Sequence, residues 1–198
     1  MNSTATLARL RRFAQSMAPD LPPVDQALPA TRELLASAGV PFKVVGGLAV
    51  IHHGYARTTE DIDLLIEAGS QERIDARLAP CGFVRESPDR LRHRATGVAV
   101  HLLIAGEPMP RPGGPPYPSP ESLPSSPEDA AVVSLDALVR LKLLADRHQD
   151  RADVVALLKS LDERAYLDLE AALVPVELRQ RLSELRRDAL EEASWRAT

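Results

Sequence analysis

Cysteine is nearly absent from this chain of 198 residues: Cys81 stands alone. A lone cysteine excludes an internal disulfide and any metal site built on cysteine spacing, and it fits a reducing compartment. Long apolar runs are also missing. No stretch approaches the roughly 18 apolar residues of a membrane span, and the opening residues, with Arg9, Arg11 and Arg12, lack the uninterrupted apolar block of a signal peptide. The expectation is a cytoplasmic protein with no membrane contact. There is no excess of positive charge either, since 24 Lys and Arg against 28 Asp and Glu leave a formal net charge of -4. Coating of nucleic acid by bulk electrostatics is thereby excluded, and any such contact must be local. No internal repeat is visible.

What is present is enough apolar material, 44% of residues, to bury a core of one domain or one domain with a small appendage. Residues 1–38 are expected to form an N-terminal helical segment. Within it the stretch from Pro23 to Ala38 spaces Leu28, Leu34 and Leu35 as a helix does, with Thr31 as a candidate cap and Gly39 as the stop. Residues 39–105 read as the core. PFKVV is a strand that stops at Gly46-Gly47, LAVIHHG is a helix closed by Gly54, and DIDLLIE is a second strand. Ser70 is the candidate cap of a helix through Ile74 and Leu78 that Gly82 ends, and Phe83-Val84, RLRHR and VAVHLLI supply further strands. The fold class is α+β, a mixed sheet with helices on it. Residues 106–128 are so rich in proline that they read as a loop or linker. Residues 129–198 read as a helical part, with Ser134 capping one or two amphipathic helices and another helix running to about Trp195.

Period two puts Ile62, Leu64 and Ile66 on one face of DIDLLIE and Asp61, Asp63 and Leu65 on the other. Burying an ionised carboxylate costs several kcal/mol unless something compensates it. Two on one strand face, about 7 Å apart along the strand, therefore point to a hard divalent cation, magnesium or manganese. The glycine pair Gly46-Gly47 adds side-chain-free backbone at a helix start, where amides approach phosphate oxygens closely. The bland alternative for each feature alone is a solvated acid at a strand entrance and an ordinary turn.

Gly46-Gly47, then His53-Gly54, Arg57, Thr58 and Asp61-Ile62-Asp63, resemble the signature of the nucleotidyltransferase fold shared with DNA polymerase beta. Within that superfamily the wording GG-x-A-x3-HG-x2-R-x-T-x-DID is most similar to the AbiEii and MenT type toxins of type IV toxin-antitoxin systems. Lys142, Arg147, Asp150 and Asp153 in KLLADRHQDRADVVALL resemble a second block of that group, so that the likeness spans roughly residues 40 to 160. It implies a mixed-sheet nucleotidyltransferase core, a Mg2+ or Mn2+ ion on Asp61 and Asp63, and transfer of a nucleoside monophosphate from an NTP such as ATP to an acceptor. Gly46, Gly47, Arg57, Thr58, Lys142, Arg147 and Asp150 would then bind the nucleotide. The acceptor would be a tRNA end, a protein or a small molecule, and a cognate toxin or antitoxin would be the partner.

The superfamily's third carboxylate is missing. VAVHLLI, in which Ala99, His101 and Leu103 share a face, offers His101 there. A neutral histidine serves as a base or metal ligand, or else it marks a weakened centre, and the alternative function is then a binding or antitoxin-like module on the same fold. An aminoglycoside nucleotidyltransferase is a third reading, with the proline-rich loop bordering the substrate cleft. Lys142 with Asp146 also stands at the spacing of a surface ion pair on a helix. Arg57 either holds phosphate or pins the DID strand by pairing with an acid. Arg90, Arg92 and Arg94 form either a basic stripe for RNA or a charged sheet edge. His52 and His53 read as packing or capping of a helix end.

Overall fold

In the computed structural model, residues 23–173 and 175–195 are described, and the expectations for residues 1–22 lie outside them. Apolar alternation builds five strands: β1 Phe42–Val44, β2 Asp61–Ile66, β3 Phe83–Ser87, β4 Arg90–His93 and β5 Ala99–Ile104. They form one sheet in the order β1-β2-β5-β4-β3. Only β2 and β5 run parallel; the other neighbours are antiparallel. Seven α-helices stand among the described residues: α1 Val24–Ser37, α2 Gly46–His52, α3 Gln71–Leu78, α4 Leu135–Ala145, α5 His148–Leu158, α6 Glu163–Ala172 and α7 Glu177–Trp195. The fold is α+β, a mixed sheet flanked by helices.

The parallel pair is central because the crossover through α3, β3 and β4 brings β5 back beside β2 in the same direction. Ile62, Leu64 and Ile66 are fully buried, as are their cross-strand neighbours or nearly so. That burial fixes the register, since a slip of one residue would expose the whole apolar set. Asp63 consequently stands opposite His101, and Asp61 opposite Ala99.

Several local expectations change. Thr31 caps nothing: α1 starts at Val24, and the buried Thr31 hydroxyl donates to the Ala27 carbonyl at 2.8 Å inside the helix. Ser70 precedes α3 but makes no capping bond; its hydroxyl accepts from the Arg73 guanidinium at 3.2 Å. Ser134 does cap α4, accepting from the Ala137 amide. The helical run after it is two helices, because Asp146 takes a left-handed conformation with φ 54° and ends α4. Asp150 then accepts from the Arg147 amide and starts α5. The tail is also two helices, α6 and α7, with Pro175 between them.

The proline-rich segment has a definite path. Gly106 donates to the Tyr117 carbonyl at 2.9 Å, Tyr117 donates to Glu107 at 2.8 Å, and Met109 donates to Pro115 at 3.0 Å. The donors fall on Gly106, Met109 and Tyr117, so the prolines supply only carbonyls and their missing amides remove nothing. Met109 is 2% exposed and anchors the hairpin in the core. Farther on, residues 131–133 run beside β1, with Val44 donating to Ala131 at 2.7 Å. The segment thus leaves β5, folds back, and returns along the opposite sheet edge before α4.

Candidate metal centre and its cavity

Asp61 and Asp63 lie on one face of β2, and the parallel register sets His101 of β5 on that face beside them. Ligand atoms of the three all lie within 4.8 Å of one another. His101 Nδ1 is 3.3 Å from Asp63 Oδ1 and 3.5 Å from Asp61 Oδ2. The Asp63 hydrogen bond, the largest influence, holds the imidazole above its usual pKa; burial and Arg90 oppose it, and the charges of both aspartates add to it. Thr59 donates to Asp61 Oδ1 at 3.2 Å. Among the described residues, neither carboxylate is salt-bridged to an arginine.

The residues fit a divalent cation. Two carboxylates and one imidazole nitrogen converge, a donor set suited to magnesium or, because of the nitrogen, manganese. Gly46 makes the same point by exclusion: it sits at φ +60°, and a Cβ there would lie 1.8 Å from Asp63 Oδ2. Backbone and carboxylate are in contact that no side chain allows. Gly46, Asp63 and His101 border a cavity of about 470 Å³ whose far side is formed by Lys142, Arg147 and Asp150 of α4 and α5.

That far side is held by a row of charges. Arg57 Nη1 donates to both oxygens of Asp153, at 3.0 and 2.8 Å. Lys142 Nζ donates to Asp153 at 2.7 Å and Asp150 at 3.2 Å. Arg147 Nε donates to Asp150 at 2.7 Å, and its Nη2 adds a second bond at 3.3 Å. Burial pushes the Asp150 carboxyl up, but the Arg147 hydrogen bond and the charges of Lys142 and Arg147 outweigh it, so its pKa is lowered. Lys142, Asp150 and Asp153 are 6%, 2% and 0% exposed, whereas the Arg147 side chain is 61% exposed. Three cations against two carboxylates leave one positive charge, and Arg147 presents it.

Other candidate residues have different surroundings. Gly47 is buried, where a Cβ would meet the Thr59 hydroxyl at 2.6 Å. Thr58 is exposed, its carbonyl accepting from Arg57, and it does not line the cavity. The expected surface pair of Lys142 with Asp146 does not form; Asp146 pairs with Arg151 at 2.7 Å and Arg181 at 3.2 Å. The left-handed break turns α5 back on α4, so Lys142 meets acids 8 and 11 residues onward instead. Arg90 and Arg92 share one carboxylate, Glu86, so one of the three charges of the arginine stripe is balanced there. His52 and His53 bond Ser126 and the Val133 carbonyl, tying α2 to the returning loop. The roles of Thr59, Asp153 and Tyr117 escape the sequence reading, although Thr59 is the threonine of the R-x-T-x-DID spacing and Asp153 stands in the downstream block.

No protein-family profile matches this sequence, and no curated protein does. Among solved structures the chain is similar to the crystal structure of ANT(2'')-Ia in complex with adenylyl-2''-tobramycin, with a TM-score of 0.41, 14% identity, and coverage of 85% of this chain and 99% of that one. An overlap this loose carries no residue roles from one chain to the other.

Two outcomes follow from this geometry. Lys142→Met leaves two buried carboxylates short of a partner, and urea unfolding should show a loss of about 3 kcal/mol; an unchanged midpoint would show that the row of charges holds nothing together. Gly46→Ala must move either the turn or the Asp63 carboxylate, so its thermal midpoint should fall and its affinity for Mn2+ should drop together. A variant equal to the parent in both would contradict the close contact.

Proposed function

We propose that this chain is a metal-dependent nucleotidyltransferase that moves a nucleoside monophosphate from an NTP to an acceptor hydroxyl. The observation that carries this reading is the convergence of Asp61, Asp63 and His101 beside a glycine, at the edge of a cavity whose opposite wall presents Arg147. Asp61, Asp63 and His101 would hold a magnesium or manganese ion. Bound there, the ion would neutralise charge developing on the reacting phosphate. In the reaction a bond forms between the acceptor oxygen and the α-phosphorus, the bond to the bridging oxygen breaks, and pyrophosphate leaves.

The chain's own residues divide the remaining work. Gly46 lets the backbone at the start of α2 pack directly against the Asp63 carboxylate, which fixes where that metal-binding oxygen stands. Arg147, with Nη1 outside its Asp150 pair, meets the outer phosphates. Lys142 and Asp150 act on the triphosphate through Arg147, and Arg57 holds Asp153 from the loop ahead of β2. If the two aspartates alone hold the ion, neutral His101 is instead the group on β5 able to take the acceptor proton. Gly47, within α2, and the loop residue Thr58 shape the approach to β2. Acceptors consistent with this site are a tRNA end, a protein side chain or a small molecule, and ATP is one candidate donor. A cytoplasmic toxin-antitoxin component with a cognate partner remains our proposal for the biological setting, on the strength of the motif wording.

A second reading is a nucleotide-binding module without transfer, acting as an antitoxin-like regulator. It is favoured by His101 standing between both acids and by the burial of Lys142 among carboxylates. Incubation with α-labelled NTPs, Mg2+ and total RNA and protein separates the two. The transferase reading expects label on an acceptor and a loss of more than about 100-fold in Asp63→Asn. No label with any NTP, together with retained nucleotide binding, would favour the module.

A further inference from the structure

Tyr117 lies in the hairpin that sequence composition makes look like a linker, yet it faces the cavity with Asp63, Arg147 and Asp150. Its main chain is bonded on both sides, through the Gly106 amide and the Glu107 carbonyl. Its ring packs partly on the hydrophobic core. The hairpin continues directly from β5, which carries His101, with Glu107 donating to the Ile104 carbonyl at 3.0 Å. Pro108, Pro110, Pro112, Pro115 and Pro116 stiffen it, so its shape is set before any ligand arrives and little ordering entropy remains to be lost. Tyr117 is therefore a fixed feature of the wall.

The phenol makes no hydrogen bond with other described residues, unlike Tyr166, whose hydroxyl meets Glu170 and Ser183. Burial pushes its pKa up, so it stays a neutral donor. A triphosphate reaching from the Asp61, Asp63 and His101 cluster to Arg147 would cross the cavity wall that Tyr117 forms.

We propose that Tyr117 is a substrate-contacting residue whose hydroxyl donates to a non-bridging phosphate oxygen of the NTP. This rests on the nucleotidyltransferase reading of the same site. Its Oη–H is a neutral donor to a charged acceptor, a bond that contributes directional positioning as well as affinity. Arg147 supplies charge; Tyr117 supplies position between the metal cluster and that charge.

Tyr117→Phe keeps the ring and removes only the donor. In calorimetric titrations with Mg2+, the full chain and this variant are compared for an NTP, for inorganic tripolyphosphate and for the matching nucleoside. The variant should lose about ten-fold in affinity for both NTP and tripolyphosphate, with nucleoside binding unchanged and, in the transfer assay, KM raised more than kcat is lowered. NTP binding weakened while tripolyphosphate binding is kept would place the hydroxyl on the nucleoside and overturn the phosphate assignment. Equal NTP binding by both proteins would overturn the inference while leaving the transferase reading standing. Failure of the unmodified chain to bind either phosphate compound would overturn both. Thermal denaturation of Tyr117→Phe, expected to match the parent, guards against a folding artefact.

Discussion

Mutual repulsion between Asp61 and Asp63 is the constraint around which this molecule is arranged. Their carboxylates share a strand face with oxygens inside a 4.8 Å cluster, although the opposite face of the same strand is fully buried. A slip of the strand would not separate them, since both ride on it two residues apart, and it would expose Ile62, Leu64 and Ile66, so the sheet holds the acids where they are. Relief must come from positive charge placed between them. Without an ion, His101 offers part of it, with a pKa raised chiefly by the Asp63 hydrogen bond; a divalent ion would take over that role, with His101 neutral as its ligand. Gly46 belongs to the same solution, since only backbone without a side chain fits against Asp63.

The opposite cavity wall solves a related problem by different means. Asp150 and Asp153 are more deeply buried than the acids of β2, yet each is compensated by fixed cations from the chain itself. Breaking such a row leaves uncompensated buried charge, which costs far more than an exposed pair contributes. Both clusters border the same cavity, but among the described residues only the one on the helices is compensated by arginine and lysine of the chain itself. On this contrast rests our proposal that the chemistry belongs to the Asp61, Asp63 and His101 cluster.

Local pattern made much of this legible. The alternation of DIDLLIE fixed which side the acids face, and the same period in VAVHLLI placed His101 on one face with Ala99 and Leu103. What alternation does not contain is pairing: that β5 lies parallel to β2 in a register opposing Asp63 to His101 depends on the crossover between them. The partner of Arg57 is 96 residues away, so local spacing had no means of finding it. Lys142 misled for a similar reason, since helical spacing presumes an unbroken helix and Asp146 breaks it with a positive φ. Proline density pointed to a loop or linker over residues 106–127, whereas the segment holds a 3-10 turn at Pro120–Ser122 and a hairpin whose few donors lie on other residue types. Tyr117 was hidden with it.

The central claim is that Asp61, Asp63 and His101 together hold one divalent ion. Electron paramagnetic resonance of Mn2+ titrated into the full chain measures this without any acceptor or nucleotide. The account predicts immobilisation of a single ion per chain, lost in Asp61→Asn and in Asp63→Asn while both variants keep the parent's circular dichroism. Free manganese at every protein concentration, or binding that survives both substitutions, would contradict it.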